Sequence, residues 1–425
     1  MRIEEIYELY KLSYKVVKDT REDVKNSLYF SLKGESFNGN KYAMEAVKNG
    51  ANYAIIDEVQ YKVDDRLILV DDVLLCLQQL ARYHREQLNF PILALTGSNG
   101  KTTTKELINV VLNKKFNCLA TEGNLNNHIG VPLTLLSMTP EYNFGVVEMG
   151  ANHQLEIEAL CEIARPDFGY ITNFGRVHLE GFGSFEGVIK GKTEMYQHLK
   201  DGDKTAFVNQ EDPIQMEKSS GINRIVFGRK GADCNVVFRD ADPFVSISFE
   251  EIEINSKLIG AYNFANIAAA VCIGNYFGIP GSEIKDAIEG FTPNNNRSQI
   301  IQRASNKIIM DAYNANPNSM DAAISNLSSL SDHKKVAVLG DMFELGDDSM
   351  LEHQKIVDQL SAIGLFAVYL VGETFYQTNA MHSNIHKFKS FEEFVKLFEG
   401  NSYTETTFLI KASRGMALER TLDYI

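Results

Sequence analysis

The segment Ile92-Leu-Ala-Leu-Thr-Gly-Ser-Asn-Gly-Lys-Thr-Thr-Thr104 joins an apolar strand-like run, a turn with two glycines, and a stretch whose Leu107, Ile108 and Val111 recur at helical spacing. Such a turn points successive backbone N–H groups at an anion, and the helix start adds positive partial charge. Lys101 can reach terminal phosphates there, and the Thr102 hydroxyl can ligate Mg²⁺. The spacing departs from G-x-x-x-x-G-K-[ST], because position 95 is Leu and the first glycine is Gly97. A tight turn that only opens a helix is the plainer alternative. The strand and helix patterns on the two sides favour phosphate binding.

A phosphate-bound Mg²⁺ needs oxygen ligands beyond the phosphates and water, usually one or two carboxylates. Glu148 ends the next apolar run, Gly145-Val-Val-Glu-Met-Gly150, and would project at the same sheet edge; a solvated strand-end carboxylate is the alternative. His178 follows the run Phe168–Thr172, and Lys192 lies fourteen residues beyond it. By spacing alone, a structural histidine and an ordinary helix lysine are the stronger readings of these two.

These groups need elements to hold them. Short apolar runs at Ile92–Leu95, Phe144–Val147 and Phe168–Thr172, each followed by a glycine-bearing turn and a helix-period stretch, predict buried parallel strands in βαβ units. Alternation around Val236–Ile254 predicts added antiparallel strands. The βα rhythm restarts after Thr292-Pro-Asn-Asn-Asn-Arg297, at Lys307–Met310, Val336–Leu339, Ala367–Val371 and Phe408–Ile410. Asn316 before Pro317 reads as the cap and first position of a helix. Ahead of residue 89, a small α/β unit holds a strand within Ser27–Leu32, an exposed loop at Lys33–Gly39, and a helix ending near Arg85. In open parallel sheets, ligands bind beyond the carboxyl ends of strands. That rule selects Thr96–Lys101, Glu148–Gly150, Asn173–His178, Asp311–Pro317, Gly340–Gly346 and Lys411–Arg414.

The 425 residues, 44% hydrophobic and 23% charged, are enough for two to four folded domains. With 42 Lys and Arg against 56 Asp and Glu, the net charge of −14 disfavours nucleic acid as a partner. The five cysteines form no C-x-x-C pair and read as reduced core residues. The acidic start MRIEEIYELYKLSY does not resemble a signal peptide, and no run approaches the length of a membrane helix, so a cytoplasmic protein without integral membrane association is expected.

Taken together, the motifs resemble the Mur ligases, the ATP-dependent amide-forming enzymes of peptidoglycan precursor synthesis. Thr96–Thr103 matches that family's shortened phosphate loop. Gly123-Asn-Leu-Asn-Asn-His-Ile-Gly-Val-Pro-Leu-Thr-Leu135, Glu148-Met-Gly-Ala-Asn-His153 and His178-Leu-Glu-Gly-Phe-Gly-Ser184 resemble its central signatures. Asp311-Ala-Tyr-Asn-Ala-Asn-Pro-Asn-Ser319 and Gly340-Asp-Met-Phe-Glu-Leu-Gly346 resemble the branch that joins D-Ala-D-Ala to a UDP-MurNAc-tripeptide. The Asn-Pro-Arg motif of the diamino-acid-adding branch is absent. A ligase adding a diamino acid or glutamates, and a nucleotide switch without ligase activity, are the weaker alternatives.

The resemblance implies an α/β chain of three domains. These are a small α/β N-terminal domain binding the UDP-sugar (1–88), a central P-loop ATPase-type domain with a mostly parallel sheet and added antiparallel strands (89–296), and a C-terminal Rossmann-like domain closing over ATP and binding D-Ala-D-Ala (297–425). By the same resemblance, Gly97, Ser98, Asn99, Gly100, Lys101, Thr102, Thr103, Asn263, Asn266, Arg297 and Asp311 hold ATP. Thr102, Glu148, His178 and Lys192 hold two Mg²⁺ ions, with Lys192 carbamylated by CO₂, and Lys101, Lys192, His178 and Glu148 serve catalysis. Thr20, Arg21, Lys33, Gly34, Glu35, Asn126, Asn127, Asn314, Asn316, Lys411, Ser413 and Arg414 are implied to contact the other substrates, in an enzyme expected to be monomeric. Thr20, Leu155, Tyr262 and Ala412 stand where relatives usually carry Ser, Gly, His and Gly.

Overall fold

The computed structural model describes residues 1–293 and 297–425, so the Asn294–Asn296 part of the predicted Asn-rich turn lies outside the described residues. Among the described residues, three sheets that are wholly or mostly parallel follow one another along the chain. The first takes the order Val16–Val17, Leu28–Phe30, Tyr53–Ile56, Leu67–Leu69, all parallel. The predicted loop at Lys33–Gly39 is in fact a tight hairpin, Lys33–Gly34 pairing with Phe37–Asn38, because Glu35 and Ser36 suffice to turn the chain. Its side chains are exposed or nearly so, as expected of a loop.

The second sheet has nine strands, in the order Ile252–Ile259, Phe244–Phe249, Cys234–Asp240, Asn223–Gly228, Thr205–Asn209, Phe168–Ile171, Ile92–Thr96, Phe144–Glu148, Cys118–Ala120. The 234–259 strands pair antiparallel and the others parallel, as the alternation predicted. Ile92–Thr96 is an interior strand buried at every position, which is why it reads as a continuous apolar run. The third sheet starts with the antiparallel edge strand Gln299–Arg303. Asn306–Asp311, Thr407–Lys411, Lys335–Gly340, Ala367–Val371 and Ile385–Phe388 then continue it in parallel.

Helix Val73–Gln87 joins the first sheet to the second. Asp72 caps it by accepting the Leu75 N–H at 2.7 Å, and Val73, Leu77, Leu80 and Ala81 are buried. One apolar cluster runs from Tyr10, Phe30 and Leu77 through to Ile92, Leu135 and Val147, so the first two sheets share a core. The third sheet has a cluster on each of its two faces, one of which takes in Ile259 from the second sheet's edge strand. Among the described residues, no helix is long and apolar enough to cross a membrane.

Candidate functional site

The loop after strand Ile92–Thr96 is gripped by the loop after its neighbour Phe168–Ile171. Ser98 N–H donates to the Asn173 carbonyl at 3.0 Å, Asn99 N–H to Asn173 Oδ1 at 2.9 Å, and the Thr172 hydroxyl to the Asn99 carbonyl at 2.6 Å. Gly97 has φ 147°, and a Cβ there would lie 1.9 Å from Thr172 Oγ1; only glycine lets the two loops approach so closely. Gly100 sits left-handed at φ 78° against Asn266 and starts helix Lys101–Leu112, whose first N–H groups face the turn. Lys101 Nζ donates to the Gly97 carbonyl at 2.8 Å, so the lysine is folded back over the turn. Burial, with Arg297 nearby, pushes its pKa below the usual lysine value, and Glu148 opposes the shift.

Glu148 closes strand Phe144–Glu148 and is buried. Its Oε1 accepts from Asn126 Nδ2 at 2.8 Å, while Oε2 is buried without a hydrogen-bond partner among the described residues. A buried carboxyl oxygen left bare beside a phosphate loop suits a cation. His178 has φ 48° at the start of the short helix Leu179–Phe182, and its Nδ1 lies 2.5 Å from Glu344 Oε2 without hydrogen-bond alignment. Burial and the Lys101 and Lys192 charges lower its pKa, and Glu344 opposes them. Lys192, on helix Phe185–Asp201, is buried, with Nζ 5.6 Å from the Phe182 ring centroid and no ion pair among the described residues. Desolvation, with Lys101 adding repulsion, holds its pKa well below the usual lysine value.

The third sheet supplies the opposite wall. Asn316 caps helix Pro317–Ser329 through Ser319 N–H, while its Nδ2 donates to Asn99 Oδ1 at 2.7 Å, tying this helix start to the phosphate loop. Asn318 Oδ1 accepts the Arg176 N–H at 2.8 Å. Lys411 Nζ meets Asp311 Oδ2 at 2.6 Å and the Asn314 carbonyl at 3.1 Å. Between the walls lies a cavity of about 1230 Å³, lined by the phosphate loop, Glu148, His178, Asn263, Asn266, Arg297, Asp311, Asn314, Asn316 and Lys411. The exposed face of helix Val73–Gln87, with Leu75, Gln78, Gln79 and Arg82, closes its far end.

Several predicted residues are placed differently. Thr20, Arg21, Lys33, Gly34 and Glu35 lie outside the cavity lining; Arg21 pairs with Asp19, and Lys33 with Asp57 at 3.0 Å. Asn127 lines the cavity, but its Oδ1 takes the Ile129 and Gly130 N–H groups, a local turn. Asn263 Oδ1 accepts from Asn266, whose Oδ1 accepts from Thr104; together they buttress the loop from behind. Ser413 is buried and accepts the Phe343 N–H at 2.9 Å, which fixes the 341–346 loop carrying Glu344. Arg414 is exposed beyond the lining, and Lys192 does not reach the cavity surface. Sequence reasoning missed the Asn173 clamp, the Glu344 contact and the cavity-facing stripe 75, 78, 79, 82, whose i, i+3, i+4, i+7 spacing was the one available signal.

No group of three or more His, Cys, Asp or Glu side chains forms a metal cage among the described residues. The bare Glu148 oxygen with the Thr102 hydroxyl nonetheless fits a Mg²⁺ that draws its remaining ligands from phosphate and water.

Residues 95–274 match the Mur ligase middle domain, and residues 296–414 match the family "Mur ligase, glutamate ligase domain". The UDP-N-acetylmuramoyl-tripeptide–D-alanyl-D-alanine ligase of Bacillus subtilis is 33% identical over 416 residues, covering 95% of this chain and 91% of the relative. Its Escherichia coli counterpart is 32% identical, covering 96% and 92%. A crystal structure of MurF from Acinetobacter baumannii superimposes with TM-score 0.87 at 30% identity, covering 98% of this chain and 97% of that one. MurF ligase from Thermotoga maritima in complex with ADP gives 0.86 at 27% identity, covering 97% of each. With a phosphate loop, a facing third-sheet wall and relatives matched over nearly their whole length, this chain belongs to the Mur ligase family.

Proposed function

We propose that the chain joins D-alanyl-D-alanine to UDP-N-acetylmuramoyl-tripeptide at the expense of ATP, making the UDP-MurNAc-pentapeptide of cell-wall synthesis, as a cytoplasmic monomer. The observation carrying this reading is the single cavity that the phosphate loop shares with Asp311, Asn314 and Asn316, the segment typical of the D-Ala-D-Ala branch. The names of the Bacillus and Escherichia relatives agree with it.

A carboxylate oxygen is a poor leaving group, so the tripeptide carboxylate must first be activated. Its oxygen attacks the γ-phosphorus, the bond to the β,γ-bridging oxygen breaks, and ADP leaves. Lys101 and the loop N–H groups stabilise charge spread over the transferring phosphoryl oxygens. The amine of D-Ala-D-Ala then attacks the acyl carbon, phosphate departs, and the amine proton is lost to solvent. An α-amine with pKa of about 7.7–8.0 is substantially neutral at cellular pH, so no strong base is needed. Enclosure between the two walls protects the acyl phosphate from water.

Thr102 and Glu148 would hold one Mg²⁺, and His178 with a carbamylated Lys192 a second; bound metal would neutralise phosphate charge. Desolvation favours the neutral Lys192 amine that CO₂ requires, and carbamylation would replace a repelling cation with anionic oxygen.

The test is ADP release from ATP with UDP-MurNAc-tripeptides ending in meso-diaminopimelate or L-lysine, with and without D-Ala-D-Ala. Release that needs both the tripeptide and the dipeptide is expected. Release without either, or only with a free diamino acid or glutamate, would overturn the assignment.

A further inference from the structure

Tyr313 lies in the loop between strand Asn306–Asp311 and helix Pro317–Ser329, and its ring lines the cavity. Two guanidiniums gather on that ring. Arg297, at the start of the third-sheet region, has its guanidinium carbon 3.6 Å from the ring centroid; that of Arg414, beyond the last strand, is at 5.5 Å. Neither arginine is within ion-pair distance of a carboxylate among the described residues. Asp311, two residues before Tyr313, is already engaged by Lys411 at 2.6 Å and by the Ser298 N–H at 3.1 Å.

Two like charges held together without a counter-ion repel each other, and here a third cation, Lys101, lies across the same cavity. The negative face of an aromatic ring offsets part of that repulsion and fixes a planar guanidinium in a way a flexible surface arginine is not fixed. The arginines come from segments more than a hundred residues apart, and the tyrosine ring is what they have in common.

We propose that Tyr313 is a positioning residue whose ring presets the Arg297 and Arg414 guanidiniums for the anionic groups of the substrates, the ATP phosphates at Arg297 and the dipeptide carboxylate at Arg414. The inference rests on the function proposed above, but its nucleotide half needs no ligation to be measured. The first readout is therefore equilibrium binding of a non-hydrolysable ATP analogue with Mg²⁺ to the full chain. The second is the KM for D-Ala-D-Ala in the ADP-release assay.

Tyr313→Phe keeps the ring face and is expected to stay within twofold of wild type in both. Tyr313→Leu removes the face and should weaken analogue binding by about three- to tenfold and raise the dipeptide KM by a similar factor, the range of one cation–π contact. If Tyr313→Leu melts below wild type, Arg297→Lys takes its place for the nucleotide half: it keeps the charge, loses the planar stack and should weaken binding comparably. Wild-type binding by Tyr313→Leu, or by Arg297→Lys where it stands in, would overturn the inference, as would Tyr313→Phe falling as far as leucine. An unchanged dipeptide KM would overturn the Arg414 half. A wild-type chain that binds the analogue but ligates nothing would overturn the proposed function and leave the nucleotide half of the inference to be judged by binding alone.

Discussion

Lys101 is the cation folded over the phosphate turn, with Nζ 2.8 Å from the Gly97 carbonyl. Lys105, one helical turn on, donates instead to the Thr121 carbonyl and cannot substitute. Lys101→Ala should lower kcat by at least ~10²-fold at saturating ATP, the scale of losing a preset partner for transition-state charge. Retention of more than half the wild-type rate would remove it from the reaction. Lys192→Ala should be nearly inactive and regain part of its rate with tens of millimolar acetate, which supplies the missing oxygens; a lysine serving only as packing would gain nothing from acetate. The two lysines differ in how legible they were. Lys101 follows a glycine turn whose geometry announces phosphate binding, whereas Lys192 looked like any helix lysine and its burial is visible only once helix Phe185–Asp201 packs. Contacts such as Glu344 with His178 are set by sheet order, and no local pattern carries them.

Among the elements, the strands that were easy to read are those buried on both faces, such as Ile92–Thr96 and Ala367–Val371. Gln299–Arg303 and Ile385–Phe388 went unread because both are sheet edges, half-exposed and carrying Gln, Arg, His and Lys among their apolar residues. The start of helix Glu156–Ala164 is a departure with a consequence. Leu155 caps it at φ 70°, a region where a side chain costs roughly 1–2 kcal/mol, and the chain is held there by Glu194, which accepts the Leu155 N–H at 2.6 Å and the Glu158 N–H at 3.1 Å. The leucine side chain is 65% exposed at the cavity, so little packing offsets the strain. Leu155→Gly should relieve that strain at an entropic cost of about 0.5–1 kcal/mol, leaving stability equal or higher by up to ~1.5 kcal/mol. Thermal unfolding decides it: a melting temperature several degrees lower would mean that Leu155 packs in a way its exposure hides.

Across the whole molecule, the two junctions between sheets are built differently. The first and second sheets share an apolar core, reinforced by Tyr10 OH donating to the Leu136 carbonyl at 2.6 Å, by His84 Nε2 2.9 Å from the Met138 carbonyl, and by Arg85 pairing with Asp167 at 2.7 Å. The third sheet meets the second mainly through polar contacts, with buried Ile259 the apolar exception: Asn316 with Asn99, Asn318 with the Arg176 N–H, Glu344 with His178, and Glu352 with Arg176 at 3.9 Å. Hydrogen bonds and part-exposed ion pairs of this kind contribute about 0.5–1.5 and 0–1 kcal/mol each, and water can replace them. Burial of an apolar core has no such substitute. Nucleotide binding should therefore move the 297–425 region against the rest while the first two sheets travel as one body. Because Cys76, Cys118, Cys161, Cys234 and Cys272 are all buried, cysteines introduced on the surface can be labelled selectively. Leu12→Cys paired with Glu217→Cys should show the same inter-label distance with and without a non-hydrolysable ATP analogue. Glu217→Cys paired with Met381→Cys should show a distribution that narrows and shifts when the analogue binds. A shift of the first pair as large as that of the second would mean that the shared core does not hold the two sheets together, and that substrate enclosure requires both junctions to move.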